Sequence, residues 1–193
     1  MTEIQQRRTS PNGVFGIKIH YSHIKNYNGF ANVKKIFPDA FYILLSRKDV
    51  LKQAVSLSIA KQTGVWIAGQ KPITDDPQYN FGDIDKSLRQ TILANAFWRY
   101  TLAANGCNYI EMNFDVVRKN ITASIQQVAD FIGVDVDPAL IPKEQVTKKQ
   151  STNINAEWEK QFFADYNGAE LTCSEKTGLL KRIKNKIKNT LHA

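Results

Sequence analysis

Two pairs of residues have the types and spacings needed for chemistry on an anion. The string SRKDVLKQAVSLSIAKQTGVW runs from Ser46 to Trp66, and Arg47 in it directly follows an apolar run. A guanidinium at that point presents a planar fork of donors that matches a phosphate. Ser56, nine residues on, is polar among Ala54, Val55, Leu57 and Ile59, so its hydroxyl can complete a phosphate site begun by Arg47. The plain alternative is a solvated arginine at a strand end and a serine bonded back to its own helix. The second pair is Lys18 and His20. Two apart on a strand, they share a face. A lysine there can hold charge on a transferring anionic group while the imidazole takes an acceptor's proton. The plain alternative for this pair is simple exposure at a strand end.

Other chemistries find little footing. Cys107 and Cys173 stand far apart, with no CxxC partner and no histidine at ligand spacing, and His20, His23 and His192 form no cluster in sequence. Neither a metal nor a disulfide is expected. No G-x-x-x-x-G-K-[ST] string occurs, which argues against a P-loop kinase.

These residues need a framework. At 193 residues, with 42% hydrophobic and 23% charged residues, the chain suits one soluble domain with a full core. Val14 to His20 (VFGIKIH) reads as a short strand after the Asn12-Gly13 turn signal. Phe30 to Phe37 reads as a short helix stopped by Pro38. Phe41 to Leu45 (FYILL) is a continuous apolar run, as in a strand buried on both faces. A helix follows from Val50 to Thr63, with Asp49 to cap its start and Gly64 its end. A Pro-, Gly- and Asp-rich loop covers 68–82. A long helix then spans Lys86 to Ala104, with Leu88, Ile92, Ala96 and Leu102 near one face. Tyr109 to Phe114 reads as a strand, and Ile121 to Ile132 and Ala156 to Tyr166 as helices. Strands alternating with helices predict an α/β fold, a parallel sheet flanked by helices. In such sheets ligands sit beyond the carboxyl ends of the strands, here His20, Ser46 and Asp115 onward.

The Ser46–Trp66 string also resembles the nucleotide-binding segment of the Stf0-type, trehalose sulfotransferase-like family. The family pattern R-[RK]-D-x-x-x-Q-A-x-S, then Q-T-G-x-W, is met by Arg47, Lys48, Asp49, Gln53, Ala54 and Ser56, then Gln62, Thr63, Gly64 and Trp66. GVFGIKIHYSHI (Gly13 to Ile24), Asn95-Ala96-Phe97-Trp98, DFIGVD (Asp130 to Asp135) and KKQSTNINAEW (Lys148 to Trp158) follow in the family's order. The resemblance implies a P-loop NTPase-like sulfotransferase fold. It also implies transfer of a sulfuryl group from the co-substrate 3′-phosphoadenosine 5′-phosphosulfate to a hydroxyl of a carbohydrate or glycolipid. By carry-over Arg47 and Ser56 hold the nucleotide's 3′-phosphate, and Lys148 and Lys149 form a late basic loop near it. Lys18 and His20 resemble the K-x-H of the cytosolic sulfotransferases, whose histidine is the base, whereas the Stf0-type resemblance implies a glutamate near the N-terminus. Trp66, an aromatic at a helix end, is expected in the core.

Both sulfotransferase families open with a strand and a P-R-S-G-S-T-like loop for the 5′-phosphosulfate, and no such segment is found here. TSPNG (Thr9 to Gly13) precedes a strand where that loop would follow one. Three readings stay open: a fragment of a normal enzyme, a degenerate, non-catalytic relative that binds nucleotide, sugar or a membrane surface, or an assembly in which a homodimer partner or complementing chain supplies the strand. The expected layout is a polar extension over 1–12, the α/β domain over 13–170 and a basic amphipathic tail over 171–193. In the tail, Leu179, Ile183, Ile187 and Leu191 recur every four residues. Six basic residues and no acidic one lie from Lys176 onward, and without them the net charge of +8 falls to +2. The tail suits either packing on the body or peripheral contact with an anionic membrane. Nucleic acid is not an expected partner, because no aromatic platform accompanies the charge. The N-terminus lacks a secretory signal and no apolar run is long enough to span a bilayer, so a cytoplasmic location is the expectation, peripheral at the inner membrane face if the tail binds there.

Overall fold

The structure is a computed structural model that describes residues 3–67, 69–142 and 153–168. Its centre is a parallel pair of strands, β1 (Tyr42–Ser46) and β2 (Tyr109–Asn113), in register from Tyr42 opposite Tyr109 to Ser46 opposite Asn113. Seven α-helices are described: α1 (Glu3–Arg8), α2 (Phe30–Ile36), α3 (Val50–Thr63), α4 (Phe81–Ala104), α5 (Phe114–Lys119), α6 (Ile121–Ile132) and α7 (Asn153–Asp165). The crossover from β1 to β2 is made by α3 and α4, as a parallel pair requires. The described residues therefore form an α/β fold with a small parallel sheet. By its contacts the chain divides into two units, Met1–Phe162 and Phe163–Ala193. Of the second, only 163–168 are described, so the basic tail lies outside the described residues.

Local chemistry sets the element ends. The Asp49 carboxylate accepts from the Lys52 N–H at 2.9 Å and starts α3, and Gly64 ends it at φ 71°, a left-handed conformation that favours glycine. The long helix α4 starts earlier than Lys86, at Phe81, because Asn80 caps it by accepting from Asp83 N–H at 3.0 Å. The strand expected to run to Phe114 stops at Asn113. The Asn113 side chain accepts from the N–H groups of Asp115 and Val116 and turns the chain at once into α5.

Two apolar clusters hold the helices. Ala54 and Val55 of α3, Ile84 of α4, and Trp158 and Phe162 of α7 form one, with Phe81 stacked on Phe162 at 4.8 Å. Phe30, Val33 and Leu102 form the other, with Ile19, Tyr42 and Trp98 packed against them. The face expected on α4 is shifted: Ile84, Ser87, Thr101 and Leu102 are its buried residues, Leu88 packs on the first cluster and Ile92 is exposed.

Three expectations are corrected. The segment 14–20 forms no strand. Phe15 stacks on Phe37 and Ile19 packs into the second cluster, while the N–H of Val14 bonds locally to Ser10 Oγ. Its β-rich composition serves packing without a ladder. Next, β1 is not buried on both faces: Leu44 is 7% exposed, but Ile43 is 44% and Leu45 50% exposed. Those two side chains and Met112 line an open apolar groove of about 370 Å³ whose far wall is Ile125, Val128 and Ile132 of α6. Trp66, finally, lies on the surface at 57% exposure, because Gly64 has already turned the chain away from α3.

Candidate functional site

Ser46 and Asn113 close the parallel ladder side by side, so the residues that follow each strand emerge at one end of the sheet. Arg47 follows β1 and Phe114 follows β2. The Arg47 guanidinium lies over the Phe114 ring, 4.4 Å from its centroid. Arg118, one turn further along α5, lies 5.7 Å from the same ring. A ring under a guanidinium attracts it through its quadrupole, typically by about 0.5–2 kcal/mol depending on desolvation. Here the ring also fixes where the fork of Arg47 sits. Among the described residues Arg47 pairs with no carboxylate, and it is half-buried. Two guanidinium groups thus flank one ring at this end of the sheet, and a guanidinium fork can bind a phosphate.

Ser56 sits on α3, half-buried, and its Oγ accepts from Asn155 Nδ2 of α7 at 3.2 Å. The Q-T-G part of the string has a structural use. The Gln62 side chain donates to Gln78 O at 2.9 Å and accepts from Gln78 N–H at 2.7 Å, pinning the loop back onto α3. Thr63 donates to Ile59 O at 3.0 Å and accepts from the Val65 N–H at 3.3 Å.

Lys18 and His20 are brought together, but not on a strand. Both are exposed on the extended segment that leads into a 3-10 helix (Tyr21–Tyr27), where His20 is the N-cap. The His20 N–H donates to His23 Nδ1 at 3.4 Å, and the two rings meet edge to face at 5.1 Å. Tyr21 anchors this turn to α4 by packing on Phe97 and Trp98 at 5.3 and 5.4 Å. Partial burial, then the Lys18 charge, then His23 hold the His20 pKa below its ordinary 6.5. The imidazole is therefore mostly neutral at pH 7 and able to accept a proton. Among the described residues no hydrogen bond or ion pair joins this turn to Arg47. Lys148 and Lys149 lie outside the described residues.

The described residues hold no group of three His, Cys, Asp or Glu placed to bind a metal, and no helix among them is long and apolar enough to cross a membrane. The family model for Stf0 sulphotransferase matches residues 1–165, most of the chain and all of the geometry above. The chain belongs to the Stf0 sulphotransferase family. Trehalose 2-sulfotransferase of Mycobacterium tuberculosis (strain ATCC 35801 / TMC 107 / Erdman) is 31% identical over 125 residues, covering 64% of this chain and 46% of that protein. Trehalose 2-sulfotransferase of Mycolicibacterium smegmatis (strain ATCC 700084 / mc(2)155) is 25% identical over 177 residues, covering 84% of this chain and 65% of that protein. The chain thus spans less than two thirds of the length of either relative.

Three residues of this site were not singled out by type and spacing: Phe114, Arg118 and Asn155. The rule that ligands gather beyond strand ends did point at Asp115 onward, within four residues of two of them. Asn155 lies 99 residues from its partner, and no local signal in KKQSTNINAEW announces the pairing.

Proposed function

We propose that this chain binds 3′-phosphoadenosine 5′-phosphosulfate and transfers its sulfuryl group to a hydroxyl of a carbohydrate or glycolipid, with a trehalose-like sugar as the first acceptor to test. The observation that carries this reading is Arg47. It heads the segment with the family's R-[RK]-D-x-x-x-Q-A-x-S pattern and leaves β1 at the end of the sheet, its fork held by Phe114. A cation and a serine hydroxyl, with no carboxylate paired to the cation among the described residues, suit a phosphate dianion. In this reading Arg47 and Ser56 hold the 3′-phosphate, and Lys148 and Lys149 add charge near the same nucleotide.

The transfer forms a bond between the acceptor oxygen and sulfur and breaks the bond between sulfur and the oxygen of the 5′-phosphate. It releases 3′-phosphoadenosine 5′-phosphate, and the acceptor's proton goes to a base. Little covalent chemistry falls to the protein, so positioning and charge stabilisation dominate, as in phosphoryl transfer. Lys18 is assigned to charge on the sulfuryl oxygens and the neutral His20 to the acceptor's proton. The test is incubation of the full chain with radiolabelled donor and trehalose, followed by separation of the sugars. Labelled sulfated sugar that requires Arg47 supports the reading, and no transfer to trehalose or to any other carbohydrate or glycolipid hydroxyl contradicts it.

A further inference from the structure

The contact between Ser56 and Asn155 is unusual for its surroundings. Asn155 is 5% exposed and shares a helical stripe with Trp158 and Phe162, which pack on Ala54 and Val55 of α3. An apolar side chain would pack in that stripe without the cost of desolvating an amide. An amide offers what an apolar residue lacks, a hydrogen-bond donor, and Asn155 donates from Nδ2 to Ser56 Oγ.

Ser56 differs in turn from two threonines of α3 and α4 and, like Ser87, which accepts from Lys61 Nζ at 3.2 Å, serves as an acceptor between helices. Thr63 and Thr91 donate their hydroxyl hydrogens to the carbonyls four residues earlier, Ile59 O and Ser87 O. The Ser56 oxygen instead accepts from α7. A serine hydroxyl has two lone pairs and one hydrogen. With a lone pair occupied by Asn155, the hydroxyl is fixed in orientation and its hydrogen stays available for an anion.

We infer that Asn155 is a positioning residue for the nucleotide phosphate, holding Ser56 as a preset hydrogen-bond donor. This rests on the proposed role of Ser56 and adds a residue that acts on the phosphate through it. The bond also ties α7 to the phosphate-facing helix, so the placement of α7 and the strength of phosphate binding are linked through one hydrogen bond.

Calorimetric titration with 3′-phosphoadenosine 5′-phosphate tests this on the full chain, comparing wild type, Ser56→Ala, Asn155→Ala and the double variant. Asn155→Leu is added to fill the stripe without the donor, and thermal melting tracks the fold. Ser56→Ala should weaken binding about tenfold, as expected for a lost hydrogen bond to a charged group. Asn155→Ala and Asn155→Leu should each weaken it several-fold, the leucine variant with its melting temperature retained. The double variant should bind no more weakly than Ser56→Ala alone, the signature of two residues acting as one. Wild-type affinity in the leucine variant, or losses that simply add in the double variant, would overturn the inference while leaving the phosphate site intact. If the wild type fails to bind, or Ser56→Ala binds as tightly as wild type, the role of Ser56 falls and that of Asn155 with it.

Discussion

In the proposed reaction Arg47 holds the nucleotide and His20 takes the acceptor's proton, and the fold treats the two residues differently. Arg47 is held on an aromatic face, so little of its side-chain freedom remains to be lost when an anion binds. His20 is exposed, and its turn is anchored through its neighbours, Tyr21 on Phe97 and Trp98 and Ile19, Ile24 and Tyr27 on the second cluster. Burial, Lys18 and His23 all act on His20 in the same direction, disfavouring the imidazolium. If His20 is the base, the acid limb of the kcat/KM profile has its midpoint below 6.5. Removing the Lys18 charge should move that midpoint up toward 6.5, and His20→Ala should lower kcat by about 10²–10⁴-fold. The same shift has a stability consequence. The unfolded chain takes up this proton more readily than the folded one, so the contribution of His20 to stability is complete above 6.5 and is lost as the pH falls through the lowered value. A pH–rate series on wild type and Lys18→Ala checks the sign: an acid limb above 6.5, or one that moves down in the variant, removes His20 from the role.

At the scale of elements, α3 is the clearest case of sequence dictating structure. Asp49 and Gly64 were legible as its caps, and both do that work in the fold. Asp49→Ala should cost about 1 kcal/mol of stability, within the usual range for an N-cap, read as a lower midpoint in denaturant with an unchanged slope. An unchanged midpoint would mean that the start of α3 is held by tertiary packing alone. The helices α2 and α6 were equally plain, because their apolar periodicity coincides with turn signals such as Gly133. The segment 14–20 was not. Its β-branched and aromatic residues look the same whether they build a ladder or pack one by one on α2, and pairing depends on a neighbouring strand that local sequence cannot specify. The short helix α5 escaped notice for a related reason. Asn113 both ends the strand and caps the helix, so no loop composition separates the two.

On the scale of the whole molecule, the α/β class and the parallel pair were legible from alternating elements, while the state of the sheet's faces was not. An apolar run such as FYILL reports that a strand can be buried on both sides. In the fold the face carrying Leu44 and Tyr42 is covered, while Ile43 and Leu45 on the other face line the open groove below α6. The candidate phosphate site was legible at Arg47 and Ser56 because both lie in one contiguous string. Phe114 and Asn155 were not, since they meet Arg47 and Ser56 across 60 residues or more of chain, and Arg118 joins by way of the Phe114 ring. Together they carry one claim, that this chain binds a phosphorylated nucleotide through Arg47 and Ser56. The most direct measurement is calorimetric titration of the full chain with 3′-phosphoadenosine 5′-phosphate, with Arg47→Ala alongside. Saturable binding that weakens about tenfold or more in the variant is the predicted result, given about 1.5–3 kcal/mol for hydrogen bonds to a charged group. No binding by the folded wild type, or equal binding by both proteins, would contradict the claim.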